Sequence, residues 1–180
     1  MADFTELNGT WNIDAAHSRL GFAARHAMIS KVRGEFAEKE GGINIDGANP
    51  NNSSVKIVAK TESFTTENEM RDKHVRSGDF LDTENYPEMS FESTKVEVAE
   101  GTVTVTGNLT IKATTKEVEV ELDWAGPVKD PMGNERIGFE GSFVINRQDY
   151  GVSFSAPMET GGILVADKIT VNLDIEATRA

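Results

Sequence analysis

The residues with most chemistry to offer stand together. Arg71, Lys73, His74 and Arg76 are neighbours in a chain whose 30 acids and 18 bases leave a formal net charge of −12. Such a cluster reads either as a cationic patch facing an anionic ligand head or as a solvated helix surface. Glu67 and Arg71, Glu69 and Lys73, and Asp72 and Arg76 are each spaced i, i+4 with the acid first, as the helix dipole prefers. Lys73 and Arg76 fit the solvated surface better. Arg71 and His74 share a face with Met70 and Val75 and suit either reading. The histidines are His17, His26 and His74, with no i, i+4 or H-x-H pair and no Cys to assist, so no metal site is expected. Asp14, His17 and Ser18 are the residue types of a hydrolytic triad, but there is no nucleophile elbow. Gly161-Gly162 precedes a strand, so no nucleotide cradle follows. No catalytic residue and no cofactor is expected.

The cluster belongs to the one stretch that reads as helix, about 66–77. Thr66 can cap it, Glu69 can complete a capping box, and Gly78 stands where a left-handed terminal residue belongs. Everything else alternates as sheet. Leu20, Phe22, Ala24 and His26 share a face, as do Val32, Gly34 and Phe36. Val55, Ile57, Ala59 and Thr61 follow, then Met89, Phe91 and Ser93. Val103 and Val105 lead to an interruption at Gly107-Asn108, after which Leu109 and Ile111 continue. Val118, Val120, Leu122 and Trp124 form another row. Gly126 to Asn134 reads as a loop. Ile137, Phe139, Gly141, Phe143, Ile145 and Arg147 form the longest row, and Ile169, Val171, Leu173 and Ile175 close the chain. Turns are expected at 148–151 and at Gly161-Gly162.

About eight strands with one wet face predict an all-β fold: a single eight-stranded antiparallel barrel over 1–180, with one short helix between strands. An open sheet of this size would leave two long edges; a sandwich is the alternative. Large inward residues (Phe22, Phe36, Phe91, Phe139, Phe143) stand beside small ones (Ala24, Gly141). Either the small residues open a cavity for one ligand, or they let the rings interdigitate. His26 and Arg147 each end an inward apolar row. An anionic head could meet them there, unless Arg147 simply leaves the sheet into its turn.

The charge of −12 argues against nucleic acid and against electrostatic docking on anionic membranes. No apolar run approaches the ~20 residues that span a bilayer. The acidic start Met-Ala-Asp-Phe-Thr-Glu lacks signal-peptide character, so cytoplasmic residence is expected. The pattern is compatible with a homodimer.

Taken in order, the motifs resemble the YceI-like family of polyisoprenoid-binding, lipocalin-like proteins. Trp11-Asn-Ile-Asp14, His17-Ser18, Phe22 and His26 open the match. Gly34-Glu-Phe36, Arg71-Asp-Lys-His74, Ser77 and Asp79-Phe-Leu81 follow. Tyr86-Pro87, Phe91-Glu-Ser-Thr94, Gly107-Asn-Leu-Thr-Ile111, Asn146-Arg147 and Asp149-Tyr-Gly151 complete it. Two departures, Lys112-Ala-Thr-Thr115 where the family usually has a Gly turn and Glu117 in place of a common Pro, touch a turn only. The resemblance implies an extended barrel with a long apolar channel that binds isoprenoid chains or related amphiphiles without catalysis. The expected ligand contacts are Phe22, Ala24, His26, Phe36, Arg71, His74, Phe91, Phe139, Gly141, Phe143 and Arg147. An enzyme acting on a lipid-like substrate, with His26 or His74 as base, and a stress-response interaction domain with a filled core are the competing readings.

Overall fold

The computed structural model describes residues 3–156, 158–159 and 164–180; the expected turn at Gly161-Gly162 lies outside them. The alternating rows become strands β1 (Gly9–Ile13), β2 (Arg19–His26), β3 (Ser30–Phe36), β4 (Lys39–Ile45), β5 (Ser54–Lys60) and β6 (Phe64–Thr65). After helix α1 (Glu69–Arg76) come β7 (Glu88–Ala99), β8 (Thr102–Ile111), β9 (Thr114–Lys129), β10 (Glu135–Asn146) and β11 (Val165–Arg179). β8 runs without a break through Gly107-Asn108, and β9 continues through Gly126 to Lys129, so the expected interruption and much of the expected loop are strand.

The hydrogen-bonded order β1-β4-β5-β7-β8-β9-β10-β11 returns to β1, closing an eight-stranded antiparallel barrel. The other three segments prolong staves of that ring. β1 and β2 both pair with β11, through Trp11↔Arg179 and Leu20↔Leu173, and the 3-10 turn Ala15–His17 breaks them apart. β4 pairs with β1 and β3 with β2. β6 pairs with β3 after a second 3-10 turn at Thr61–Ser63. Closure satisfies the edge groups that an open sheet would expose.

The two ends of the barrel differ. At one end Phe4, Leu7 and Trp11 are buried, Trp11 donates its indole N–H to the Leu7 carbonyl at 2.7 Å, and Arg136 binds Asp14, Asp130 and Glu176. At the other end one ladder stops short: β9 and β10 part beyond Asp123↔Glu140, whereas β5 and β7 stay joined past Lys60↔Glu88 by the Thr61 amide donating to the Pro87 carbonyl at 2.9 Å. Helix α1 lies between β6 and β7, and Lys112 donates to the Gly151 carbonyl across the parted side of β9.

The helix forms, but on other residues than expected. Asn68 is the cap, accepting from the Arg71 amide at 3.0 Å. Thr66 is drawn away because its amide and hydroxyl both donate to Asp72, as does the Thr65 hydroxyl. Gly78 shows no left-handed φ; extended Ser77 ends the helix. Among the described residues none of the three i, i+4 acid-base pairs forms an ion pair. Arg76 donates to the Phe64 carbonyl instead, at 2.6 Å. The buried side of α1 is Asp72, 5% exposed, while Met70 is 86% exposed.

Candidate functional site

The parted end of the barrel encloses a chamber of about 690 Å3. Strand alternation builds its walls: Phe22 and Ala24 from β2, Val32 and Gly34 from β3, Ile111 from β8, Ile145 from β10, and Val165 and Ile169 from β11. Gly34 has no Cβ because the Phe64 ring lies directly on it. Deeper in the barrel is a second space of about 130 Å3, lined by Phe91, Phe139 and Phe143 among others. Phe22, Phe36 and Met89 line both spaces and form the partition between them. Phe22 meets Phe36 edge-on with centroids 5.3 Å apart, and Phe36 meets Phe64 at 5.2 Å. Such edge contacts favour a fixed aromatic arrangement over a fluid one.

The expected contacts divide accordingly. Phe22, Ala24, His26, Phe36, Arg71, His74 and Arg147 border the outer chamber. Phe91, Phe139 and Phe143 border the inner space. Gly141 borders neither: a Cβ there would lie 2.5 Å from the Glu121 carbonyl oxygen and 2.8 Å from Leu122 Cδ2. The missing side chain lets β9 approach β10 and opens no room for ligand.

Arg147 is a structural residue. It is 3% exposed, and donates to the carbonyls of Ala166, Val152, Phe154 and Val165 at 2.7–3.2 Å. Nη2 also lies 3.3 Å from Asp167. Burial lowers its pKa and Asp167 partly offsets this. With its N–H groups turned to backbone, Arg147 has nothing left for an anionic head, and it fixes the segment that carries Phe154.

Arg71 and His74 stand at the rim. Arg71 is held by Thr66, Nε on the hydroxyl at 2.7 Å and Nη2 on the carbonyl at 3.1 Å, and among the described residues Nη1 has no partner. His74 Nε2 lies 2.9 Å from Asp79 Oδ2, and its ring sits edge-on to Phe80 and Phe154, each at 5.0 Å. His26 closes the β2 row, exposed at the rim. For Asp72 beneath them, burial acts to raise the pKa, but the Thr66 and Thr65 hydrogen bonds prevail and the net shift is downward. The residue thus stays ionised and anchors the helix.

Phe64, Phe80, Tyr150, Val152 and Phe154 also line the chamber and were not among the expected contacts, although Phe80 and Tyr150 stand within the family motifs. Phe80, Val152 and Phe154 belong to irregular segments, where no periodicity marks an inward residue.

The Asp14-His17-Ser18 grouping is a second candidate. Asp14 Oδ2 lies 2.9 Å from His17 Nδ1. Ser18 Oγ, however, donates to the Glu176 carbonyl and accepts from the Glu176 amide, bridging β11. Asp14, His17 and Glu176 lie close enough to share an ion, but Arg136 Nη1 already meets both carboxylates, at 2.8 and 2.6 Å. The arrangement is an ion-paired clasp.

The YceI-like domain model matches residues 11–177. A UPF0312 protein of Staphylococcus epidermidis is 34% identical over 169 residues, covering 92% of this chain and 95% of its own length. A UPF0312 protein of Pseudomonas aeruginosa is 37% identical over 139 residues, covering 77% and 73%. The Campylobacter jejuni YCEI protein superposes with a TM-score of 0.74 at 28% identity, covering 87% of this chain and 90% of that one. BcnA of Burkholderia cenocepacia gives 0.80 at 23% identity, covering 92% and 99%, and a polyisoprenoid binding domain from Saccharophagus degradans gives 0.73 at 15%, covering 94% and 98%. At those two identities the likeness speaks for the fold. With the domain match running from Trp11 to Ala177 and a relative at 34% identity aligned over nearly its full length, this chain belongs to the YceI-like family.

Proposed function

We propose that the protein binds a polyisoprenoid or similar long-chain amphiphile, with the tail in the outer chamber and an anionic or polar head at the rim, without altering it chemically. The outer chamber carries this reading. Its 690 Å3 falls within the roughly 300–1,000 Å3 typical of small-molecule sites, and its walls are almost wholly apolar. A chain burying a few hundred Å2 there gains several kcal/mol at ~25 cal/mol per Å2, before ordering costs. Arg71, whose Nη1 has no partner among the described residues, is the head-group donor, and His26 and His74 flank it. That a domain of the same fold is described as polyisoprenoid-binding supports the ligand class. Cytoplasmic residence belongs to this reading; native-cell fractionation finding the protein only elsewhere would overturn it.

The test compares a polyisoprenyl phosphate with the polyisoprenol of equal length. Ala24→Phe should fill the chamber and weaken both. Arg71→Ala should weaken the phosphate about tenfold or more and leave the alcohol nearly unchanged, since a shielded charge-assisted contact contributes about 1.5–3 kcal/mol. Equal losses in Arg71→Ala would assign that residue to the fold. The His74–Asp79 pair favours one other reading, general-base chemistry on the bound amphiphile. Turnover of a lipid ester that disappears in His74→Asn would establish that reading instead.

A further inference from the structure

We infer that the β2–β3 hairpin docks the open end of the barrel onto an anionic lipid bilayer, from which the chamber exchanges its ligand. The inference rests on the lipid-binding reading for its purpose, but its observations lie outside the chamber. The hairpin tip is His26-Ala-Met-Ile29, closed by the Ile29 amide donating to the His26 carbonyl at 3.1 Å. Ala27 and Met28 have φ of 50° and 62°, the left-handed pair that this two-residue turn requires and that Asn-Gly would adopt without strain. Here the turn carries apolar side chains outward: Met28 is 65% exposed and Ile29 81%. Met70, across the same chamber mouth, is also exposed.

The charge around this tip runs against the rest of the molecule. No acid occurs between Asp14 and Glu35, in a chain with 30 of them, whereas Arg19, Arg25, Lys31 and Arg33 all do. Arg25 and Lys31 are directly opposed across the hairpin. Like charges so placed repel, and among the described residues neither they nor Arg33 has a carboxylate within ion-pair reach. Arg25 and Lys31 also line an outer groove with Met28 and Lys168, where the acid present, Asp167, is engaged by Arg147 and Gln148. An anionic surface would relieve this repulsion while the lipid interface received the apolar tip. The net charge of −12 does not forbid such contact. At physiological salt a charge acts over about 8 Å, so the membrane meets the local cations and not the total.

The test is flotation of the purified protein with vesicles of phosphatidylcholine alone and of phosphatidylcholine with phosphatidylglycerol. The wild type should bind the anionic vesicles at least tenfold better, and lose that preference at high salt. Met28→Ser with Ile29→Ser, and separately Lys31→Gln with Arg33→Gln, should each lower binding about tenfold. Ala27→Asn with Met28→Gly relaxes the turn, guards against misfolding, and should also bind less. Ala24→Phe should still float, which separates docking from occupancy of the chamber. A wild type that ignores both vesicles, or variants that float as well as it does, would overturn the inference. So would a dimer in sedimentation that the Met28→Ser, Ile29→Ser variant dissolves, for the tip would then cover a second copy of the chain.

Discussion

Arg147 and Arg71 are both arginines bordering one chamber, and burial separates their roles. Arg147 spends its donors on the carbonyls of Ala166, Val152, Phe154 and Val165. Arg147→Met should therefore destabilise the fold by about 3 kcal/mol or more, because buried acceptors lose their partners. It should weaken charged and uncharged ligands alike. Chemical denaturation beside the two-ligand titration checks this, and a loss confined to the phosphate would return Arg147 to the head group. Period two placed Arg147 correctly at the end of an inward row. It gave no warning that a segment distant in sequence would fold over the guanidinium and consume it. Gly141 teaches the same point in reverse: its row is legible, but the Glu121 carbonyl that fills the space beside it belongs to another strand.

At the scale of elements, alternation was a dependable guide where strands are half wet, as in the Val103/Val105 and Ile169–Ile175 rows. It failed where the cause is tertiary. Nothing local marks the parting of β9 from β10 at the chamber end. The helix shows the same limit. Its existence was legible, but Thr66 was misread as the cap because the pull of Asp72 on Thr65 and Thr66 is invisible in a capping pattern. Asp72→Asn should cost about 1–3 kcal/mol, since it loses the charge and replaces one acceptor oxygen with a donor among hydroxyls that need acceptors. Hydrogen exchange should then speed up across 66–76 before it does in β8 or β10. Uniform acceleration would mean that Asp72 supports the whole barrel and not the helix alone.

For the whole molecule, acid should reveal the clasp at the tight end. The Arg136 hydrogen bond, opposed by burial and assisted by His17, draws Asp14 down to about 2. Arg136 likewise lowers Asp130. A carboxylate with a depressed pKa in the folded state contributes its stability above its ordinary value near 4. That contribution fades as pH falls toward 2. Arg136→Gln should be less stable than the wild type at neutral pH, and the gap should narrow between about pH 4 and 2. Parallel stability curves over that window would remove Arg136 from the account. The partition formed by Phe22, Phe36 and Met89 carries a different consequence. It turns the barrel into a ruler with a graduation partway down. Each added methylene of a saturated alcohol should gain about 0.8 kcal/mol, roughly fourfold in affinity, until the tail touches the rings. Beyond that length affinity should level off, because further carbons remain outside or must displace an aromatic side chain. Phe22→Ala should move the plateau to longer chains. Calorimetry over a series of chain lengths reads the graduation directly, and a curve rising without a break past it would mean that the rings yield freely.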